Sequence, residues 1–299
     1  MYSLFTFLLG AFFAVMISIN GSLVSTFDSY TGTAIIHFFG LITSAALLTG
    51  MHRKIRLDPA APRWIYLAGV VGILTTLFQA SSFGRISMLS ISALGLLGQT
   101  TASLLIDSFG LFGMKRHPFQ KSTLIGFVFA LAGIILMMDD TVGTAMIAVL
   151  MSFASGITIV TARSMNARLA DSVGMMQGTM INFLAAFPFT VLLALTLGNH
   201  GYTAASLASA PLWMYVGGIL GVFGVAMNNL LVPHLPAFQL TLLSFLGSLA
   251  GSFVIDLITG SSYQIKSLLG GLLITAGMLV NMILNHRAGQ KEADPAAGR

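Results

Sequence analysis

Polar side chains stand at six positions inside long apolar stretches of the sequence. Such groups are costly in hydrocarbon and are functional candidates for that reason. Their amides and hydroxyls can hydrogen-bond a solute, and we predict that together they line a substrate path. These residues are His37, Gln79, Gln99, Asn182, Asn228 and Ser248. The alternative is that each one only bonds a neighbouring helix, which stabilises a bundle by about 0.6–2 kcal/mol per bond.

One of the six residues can also exchange a proton. His37 is the histidine placed deepest in an apolar stretch, whereas the other five lie in or near polar segments. Histidine is the side chain whose ordinary titration falls near neutral pH. His37 is therefore the candidate for coupling to H⁺, and a neutral imidazole packed between helices is the alternative.

Two aspartates, Asp107 and Asp256, each lie toward the C-terminal end of a predicted helix. The helix dipole disfavours an anion there, so each carboxylate is expected to have a compensating partner. Two such ion pairs would form latches at opposite ends of the molecule, and static anchoring of the helices is the alternative. The candidates are Lys115, Arg116, Arg163 and Arg168 for Asp107, and Arg85 and Lys266 for Asp256.

The composition determines which elements hold these residues. Apolar residues make up 56% of the chain and charged residues 8%, against about 25% charged in soluble domains. The fold class is therefore an all-α integral membrane protein, because the apolar stretches are long enough for helices that cross a bilayer. Ten transmembrane helices are predicted, at 2–25, 31–50, 64–84, 88–110, 122–139, 143–163, 174–197, 212–232, 236–258 and 267–285.

Ten crossings that start inside the cell give a strong asymmetry of basic residues. Twelve of the fourteen Lys and Arg residues fall in cytoplasmic segments, which is the bias that orients membrane proteins. Both termini are therefore predicted to be cytoplasmic. Only Arg85 and Lys266 fall outside. The net charge of +5 is explained by loops that face anionic lipid, so no nucleic-acid partner is predicted.

The second half of the sequence repeats the first. Asn20 and Leu23 return as Asn166 and Leu169, an offset of 166 − 20 = 146, and Asp107 returns as Asp256, an offset of 256 − 107 = 149. The predicted repeats are 1–140 and 141–286, followed by a cytoplasmic polar tail at 287–299. Each has five helices, an odd number, so the second is inserted upside down, as in many transporters. Asn20 and Asn166 are expected to cap the ends of their helices.

This architecture and several short motifs resemble the drug/metabolite transporter superfamily and, within it, the YdcZ-like family. The motifs are an Asn-x-x-Leu near the end of the first span, a Gly-Thr opening the second, and a run in the fourth. That run comprises Gly98, Gln99, Leu105, Ile106, Asp107 and Gly110. The resemblance covers residues 1–285 and implies a bacterial inner-membrane location. Small multidrug exporters of the superfamily carry a glutamate in the first span, whereas the only glutamate here is Glu292.

The expected function is secondary transport of a small organic solute by alternating access, with export implied by the resemblance. A metabolite importer and a non-transporting partner or sensor subunit are the alternatives. An enzyme is disfavoured because Asp107 and Asp256 are predicted near opposite faces and cannot act as one acid–base pair. We predict no cofactor, metal site or catalytic residues, and a monomer or homodimer in the lipid bilayer.

Overall fold

The computed structural model describes residues 1–82, 85–86, 88–117, 121–137, 145–202, 204–259, 265, 269–277, 279–280 and 283–284. Within these residues the chain is helical and contains no strand. The helices are α1 (Tyr2–Thr26), α2 (Ser29–Gly50), α3 (Ala68–Ser82), α4 (Met88–Phe109), α5 (Lys121–Met137), α6 (Met146–Val173), α7 (Met175–Leu197), α8 (Ala204–Ser209), α9 (Val216–Leu231) and α10 (Ala237–Thr259). Residues 269–277 form a further helix, α11.

Six segments of the described chain are long and apolar enough to cross a membrane. They are Tyr2–Thr26, Ser29–Gly50, Met146–Val173, Met175–Leu197, Leu212–His234 and Ala237–Ile255. Shorter apolar helices occur at Arg63–Gln79 and Leu124–Leu136. The predicted all-helical membrane class is confirmed, whereas the count of ten crossings and the inverted repeat stay predictions.

The C-terminal ends of α1 and α6, the first helix of each predicted repeat, differ from the sequence prediction. Helix α1 continues to Thr26 and α6 to Val173, so Asn20 and Asn166 lie inside their helices and the prediction that they cap helix ends is wrong. The helix that follows α1 begins at an aspartate instead. Asp28 caps α2 by accepting bonds from the backbone N–H groups of Tyr30 at 2.8 Å and Thr31 at 3.0 Å.

Several loops meet at one end of the bundle, which we call the basic end. Tyr2, at the start of α1, stacks on His234, after α9, with ring centroids 4.1 Å apart. Trp64, before α3, contacts Phe112, after α4, at 5.6 Å. The basic loop residues Arg53, Lys54, Arg56, Lys115 and Arg116 lie at this end and are exposed. The opposite end holds Asp28, Tyr202 and Arg85.

The helices cross at glycines in matching places of the two halves. A Cβ at Gly10 of α1 would collide with the carbonyl oxygen of Ser244 in α10, and a Cβ at Gly156 of α6 would collide with that of Gly95 in α4. Gly156 follows Gly10 by 156 − 10 = 146 residues, and Ser244 follows Gly95 by 244 − 95 = 149. These are the offsets of the sequence repeat. Glycine permits such close backbone contact between membrane helices.

Candidate functional site

The predicted proton-coupling residue is oriented by its own helix. His37 lies half-buried in α2, and its Nδ1 is 2.9 Å from the carbonyl oxygen of Thr33. A carbonyl oxygen only accepts, so Nδ1 carries the proton of this bond. The ring also contacts Phe183 of α7 at a centroid distance of 5.8 Å. Nε2 is therefore the ring atom available to exchange a proton or to contact a solute.

Two of the other path residues lie where helices cross. The backbone nitrogen of Gln99 lies beside Gly156 in the α4–α6 crossing, and that of Ser248 lies beside Gly10 in the α1–α10 crossing. Both side chains are half-buried, as is that of Gln79 in α3. Gln99 and Ser248 are thus held by the two matching crossings rather than by loops.

The asparagines of α7 and α9 form a third part of the candidate path. Asn182 is buried in α7, and its backbone oxygen packs against Gly69 of α3. Asn228 of α9 has a buried Oδ1 that makes no hydrogen bond. Its neighbour Asn229, absent from the sequence prediction, donates from Nδ2 to the Thr179 hydroxyl at 3.3 Å, while its Oδ1 makes no hydrogen bond.

Several buried polar atoms in the described chain have no hydrogen-bond partner. Such an atom costs about 1–3 kcal/mol relative to a satisfied one, so each one needs an explanation. They are Oδ1 of Asn20, Asn166, Asn228 and Asn229 and the hydroxyls of Ser152 and Ser244. Of these residues, only Asn228 belongs to the predicted path. The position of a residue along a predicted helix gives its depth in the membrane, but it does not show which buried amides remain unpaired. Acceptors of this kind are suited to a solute that donates hydrogen bonds.

Asp107 binds a helix N-terminus. Its Oδ1 accepts the backbone N–H of Ala237 and its Oδ2 that of Phe238, both at 2.8 Å. These are the first residues of α10, whose positive dipole end offsets the carboxylate charge. Burial of the carboxylate to 6% exposure keeps water from competing for these bonds. In the described residues no ion pair forms within 4.0 Å, and the predicted gating ion pair stays a prediction.

Arg163 of α6 reaches the next turn of α10. Its Nη2 donates to the Thr241 hydroxyl at 2.7 Å, and the Ser103 hydroxyl of α4 lies 2.8 Å from the same oxygen. Ser103 and Thr241 are 0% and 1% exposed. We call Ser103, Asp107, Arg163 and Thr241 the basic-end latch. It joins α4, α6 and α10.

The remaining predicted gating residues lie outside the latch. Lys115 is exposed at the basic end, and so is Arg116, whose Nε donates to the Ser108 carbonyl oxygen at 2.9 Å. Arg85 is exposed at the opposite end. Lys266 and the side chain of Asp256 lie outside the described residues.

A second carboxylate, that of Asp28, joins the two halves of the chain at the opposite end. The sequence analysis did not single out this residue. Asp28 accepts the backbone N–H of Asn199 at 3.1 Å in addition to those of its own helix. The Tyr202 hydroxyl accepts the backbone N–H of Asp28 at 3.3 Å. Partial burial raises the pKa of Asp28, but the bonds from Thr31, Asn199 and Tyr30 outweigh it and hold the pKa below its ordinary value.

Equivalent positions of the two halves differ in exposure. Ser103 and Thr241 are buried at the basic end, whereas Ser252 and Ser92, their counterparts at an offset of 149, are exposed. The first pair is in hydrogen-bond contact between α4 and α10. The opposite ends of the same two helices leave their serines uncovered.

Helices α1 and α6 show the same difference. Ser164 and Ala167 of α6 are 1% and 0% exposed near the basic end. Their counterparts at an offset of 146, Ser18 and Gly21 of α1, are exposed. A Cβ placed on Gly21 would meet no atom within 4 Å. At these four pairs of equivalent positions, the residues are therefore more buried at the basic end than at the opposite end.

These features, apolar helices that cross at glycines around buried amides, define a helical membrane protein with several spans. The family described as "Putative inner membrane exporter, YdcZ" matches residues 1–136 and 147–280. The chain belongs to this family, whose members are described as membrane transporters, which are not an enzyme class. The match confirms the predicted family and the predicted inner-membrane location. The two matched segments start 147 − 1 = 146 residues apart, the offset of the sequence repeat.

Comparison with solved structures gives a likeness of fold. A structure titled "Crystal structure of protein" aligns with a TM-score of 0.69 over 96% of this chain and 97% of that chain, at 14% sequence identity. At that identity the likeness extends to the fold alone. No curated protein matches the chain at the level of significance required.

Proposed function

We propose that this chain moves a small organic solute out of the cell by alternating access between two inverted five-helix repeats. The repeats are 1–140 and 141–286, with both termini in the cytoplasm and residues 287–299 as a polar tail. The observation that carries the proposal is the unequal burial of equivalent positions at the two ends. The family's description as an exporter supports the direction of transport.

The matching helix crossings support the proposal that the two repeats exchange conformations. A Cβ at Gly98 would collide with the carbonyl oxygen of Phe153, and a Cβ at Gly247 with that of Phe7. Phe153 follows Phe7 by 146 residues and Gly247 follows Gly98 by 149. One set of contacts therefore occurs twice, once in each orientation of the repeat, and inverted repeats permit both arrangements of the pair.

In this proposal, the unequal ends correspond to the two arrangements of the repeats. Buried Ser103, Thr241, Ser164 and Ala167 form the closed basic end, and their exposed counterparts form the open one. If the halves exchange conformations, the opposite end closes by adopting the contacts that the basic end has now. With the basic end in the cytoplasm, as the distribution of Lys and Arg predicts, this structure is outward-open.

The proposed path joins His37, Gln79, Gln99, Asn182, Asn228 and Ser248. Its amides and hydroxyls suit an uncharged or weakly charged solute that both donates and accepts hydrogen bonds. His37 supplies one group that can take up H⁺, so exchange of solute for H⁺ is the proposed coupling. Unpaired oxygens at Asn228 and Asn229 provide acceptors near the basic end.

The basic-end latch is the proposed cytoplasmic gate. The Asp107 carboxylate holds α10 by its first two amides, and Arg163 holds the next turn through Thr241. The Asp107 contact joins the first half of the chain to the second, and the Arg163 contact joins α6 to α10 within the second half. In this proposal, opening the basic end requires that both contacts separate. Asp256 is the proposed counterpart of Asp107 at the opposite end, with Arg85 and Lys266 as its candidate partners.

Transport is tested with purified chain in sealed liposomes, loaded with a library of small solutes and assayed with and without a pH gradient. The proposal predicts that at least one solute leaves the liposomes only when the protein is present. For protein inserted in the predicted orientation, this efflux should be faster when the lumen has the higher pH. His37→Gln is predicted to abolish the effect of the gradient, and His200→Gln, in a loop, is the matched control. Absence of flux for every solute would favour a partner or sensor subunit.

A further inference from the structure

A groove lies on the flank of the bundle between α1 and α9. Its cavity volume is about 490 Å³, within the range of about 300–1,000 Å³ typical of ligand sites. The lining is apolar, with aromatic and thioether side chains in its walls. They include Tyr2, Phe5, Phe12, Phe223 and Met227.

The groove is open along its side and closed at its floor. Phe5, Leu8 and Phe223 are 53%, 51% and 45% exposed, whereas Leu9 and Leu231 beneath them are 6% and 3% exposed. The flank of a membrane-spanning bundle faces hydrocarbon. An occupant that enters from the side must therefore come from the lipid phase.

The equivalent place in the other half of the chain is filled. Ala148 and Thr158 of α6, at an offset of 146, stand where α1 has Tyr2 and Phe12. There the helices pack directly, because the Thr158 hydroxyl lies 2.9 Å from that of Thr75 and the Ser82 hydroxyl donates to the Ala148 carbonyl oxygen at 2.9 Å. Large side chains on α1 thus create a groove that the repeated architecture does not require.

Two exposed cations directly follow a residue that packs against the walls of the groove. Tyr2 and Phe12 pack in one apolar cluster with Met114, and the next two residues, Lys115 and Arg116, are exposed. Basic residues at this depth attract anionic headgroups. An apolar slot with cations at its end complements an amphiphile that has one acyl tail beside an anionic head.

We propose that the groove binds one acyl chain of an anionic phospholipid, with the phosphate held by Lys115 and Arg116. Lipid hydrocarbon is as apolar as the groove, so the hydrophobic effect does not select the chain. Selection comes from the fit of the chain between the aromatic walls and from the two cations. The site is separate from the proposed path and does not depend on transport.

The test uses purified full-length chain in phosphatidylcholine vesicles with a trace of photoactivatable phosphatidylglycerol, whose acyl chain carries the reactive group. Labelled residues are mapped by mass spectrometry. The expected result is enrichment at Phe5, Leu8, Phe223 and Met227 over Leu195, which is 66% exposed on α7. Photoactivatable phosphatidylcholine is expected to label the groove less.

Two variants separate the fit from the charge. Met227→Trp fills the groove and is expected to reduce its labelling to the level of Leu195, whereas Leu195→Trp leaves groove labelling unchanged. The double variant Lys115→Gln/Arg116→Gln is expected to lower the preference for phosphatidylglycerol by about fivefold per cation removed. Lys54→Gln/Arg56→Gln, exposed cations of another loop, is the matched control.

The proposal is overturned by groove labelling no greater than that of Leu195, by labelling that Met227→Trp leaves unchanged, or by equal use of the two lipids. It is also overturned if both cation pairs change the preference equally, because that result indicates a general surface charge. The charge variants keep the test decisive if Met227→Trp does not fold. None of these readouts measures flux, so failure here is distinct from failure of the proposed transport.

Discussion

The substitution Asp107→Ala is predicted to open the basic end. It removes two hydrogen bonds of 2.8 Å to the first amides of α10. Loss of a helix cap costs about 0.5–2 kcal/mol, and burial of Asp107 to 6% exposure places this site near the upper limit. About 2 kcal/mol against the closed basic end changes the ratio of the two states by about 30-fold.

The assay uses the absence of native cysteine. Single cysteines are introduced at Ala167, 0% exposed at the basic end, and at Gly21, its exposed counterpart. A membrane-impermeant maleimide is applied from each side in turn. In otherwise native protein, Gly21→Cys is expected to react and Ala167→Cys to be protected. Asp107→Ala is expected to speed labelling of Ala167→Cys and to slow that of Gly21→Cys.

Two further variants serve as comparisons. Asp171→Ala removes an exposed carboxylate at the basic end and is expected to leave both rates unchanged. Asp107→Asn keeps one acceptor oxygen and is expected to have an intermediate effect. The reasoning is refuted if Asp107→Ala matches Asp171→Ala, or if it raises both labelling rates together, because the second result indicates loosening without exchange of the two ends.

Three other perturbations have defined outcomes. Thr241→Val removes the hydroxyl that accepts from Arg163, and it is expected to raise basic-end labelling less than Asp107→Ala does, since it leaves the α10 cap intact. Gly247→Leu places a side chain where the backbone of Phe7 lies, and is expected to lower the yield of folded protein in size-exclusion chromatography, whereas Gly21→Leu, at an open position, is tolerated. Asp28 has a lowered pKa, so its clamp on Asn199 is present above the ordinary carboxyl pKa of 3.8 and is lost as pH falls through the lower folded value. The protection of the Asn199 amide from hydrogen exchange, measured relative to an unstructured chain at the same pH, should therefore fall on acidification, and Asp28→Asn should remove this pH dependence.

The sequence predicts the membrane class because composition and segment length depend on the solvent alone. The crossings at Gly10 and Gly156 fall on the repeat offset of 146, although the sequence analysis does not single out these two glycines. It does not identify the partner of Asp107. A search for compensating charge considers side chains, whereas the groups that bind this carboxylate are backbone amides of Ala237 and Phe238, which any residue other than proline would supply.

The difference in exposure between equivalent residues at the two ends also cannot be predicted from the sequence. Ser103 and Ser252 are the same residue type at equivalent positions, and only the arrangement of helices buries one and exposes the other. The helix ends were misjudged for a related reason. Asn20 and Asn166 resemble caps, but the junction after α1 is made by Asp28, whose bond to Asn199 depends on a contact 171 residues away in the chain.

The central claim, exchange of two inverted halves, is tested most directly by cross-linking Ser92→Cys to Ser252→Cys. The counterpart hydroxyls of Ser103 and Thr241 are 2.8 Å apart, so closure of the opposite end should bring the two cysteines within the Cα separation of about 4.4–6.8 Å that a disulfide requires. The account predicts a cross-link that forms faster in the Asp107→Ala background and traps the basic end open to labelling. Two cysteines that each react with maleimide but never join in either background would contradict it.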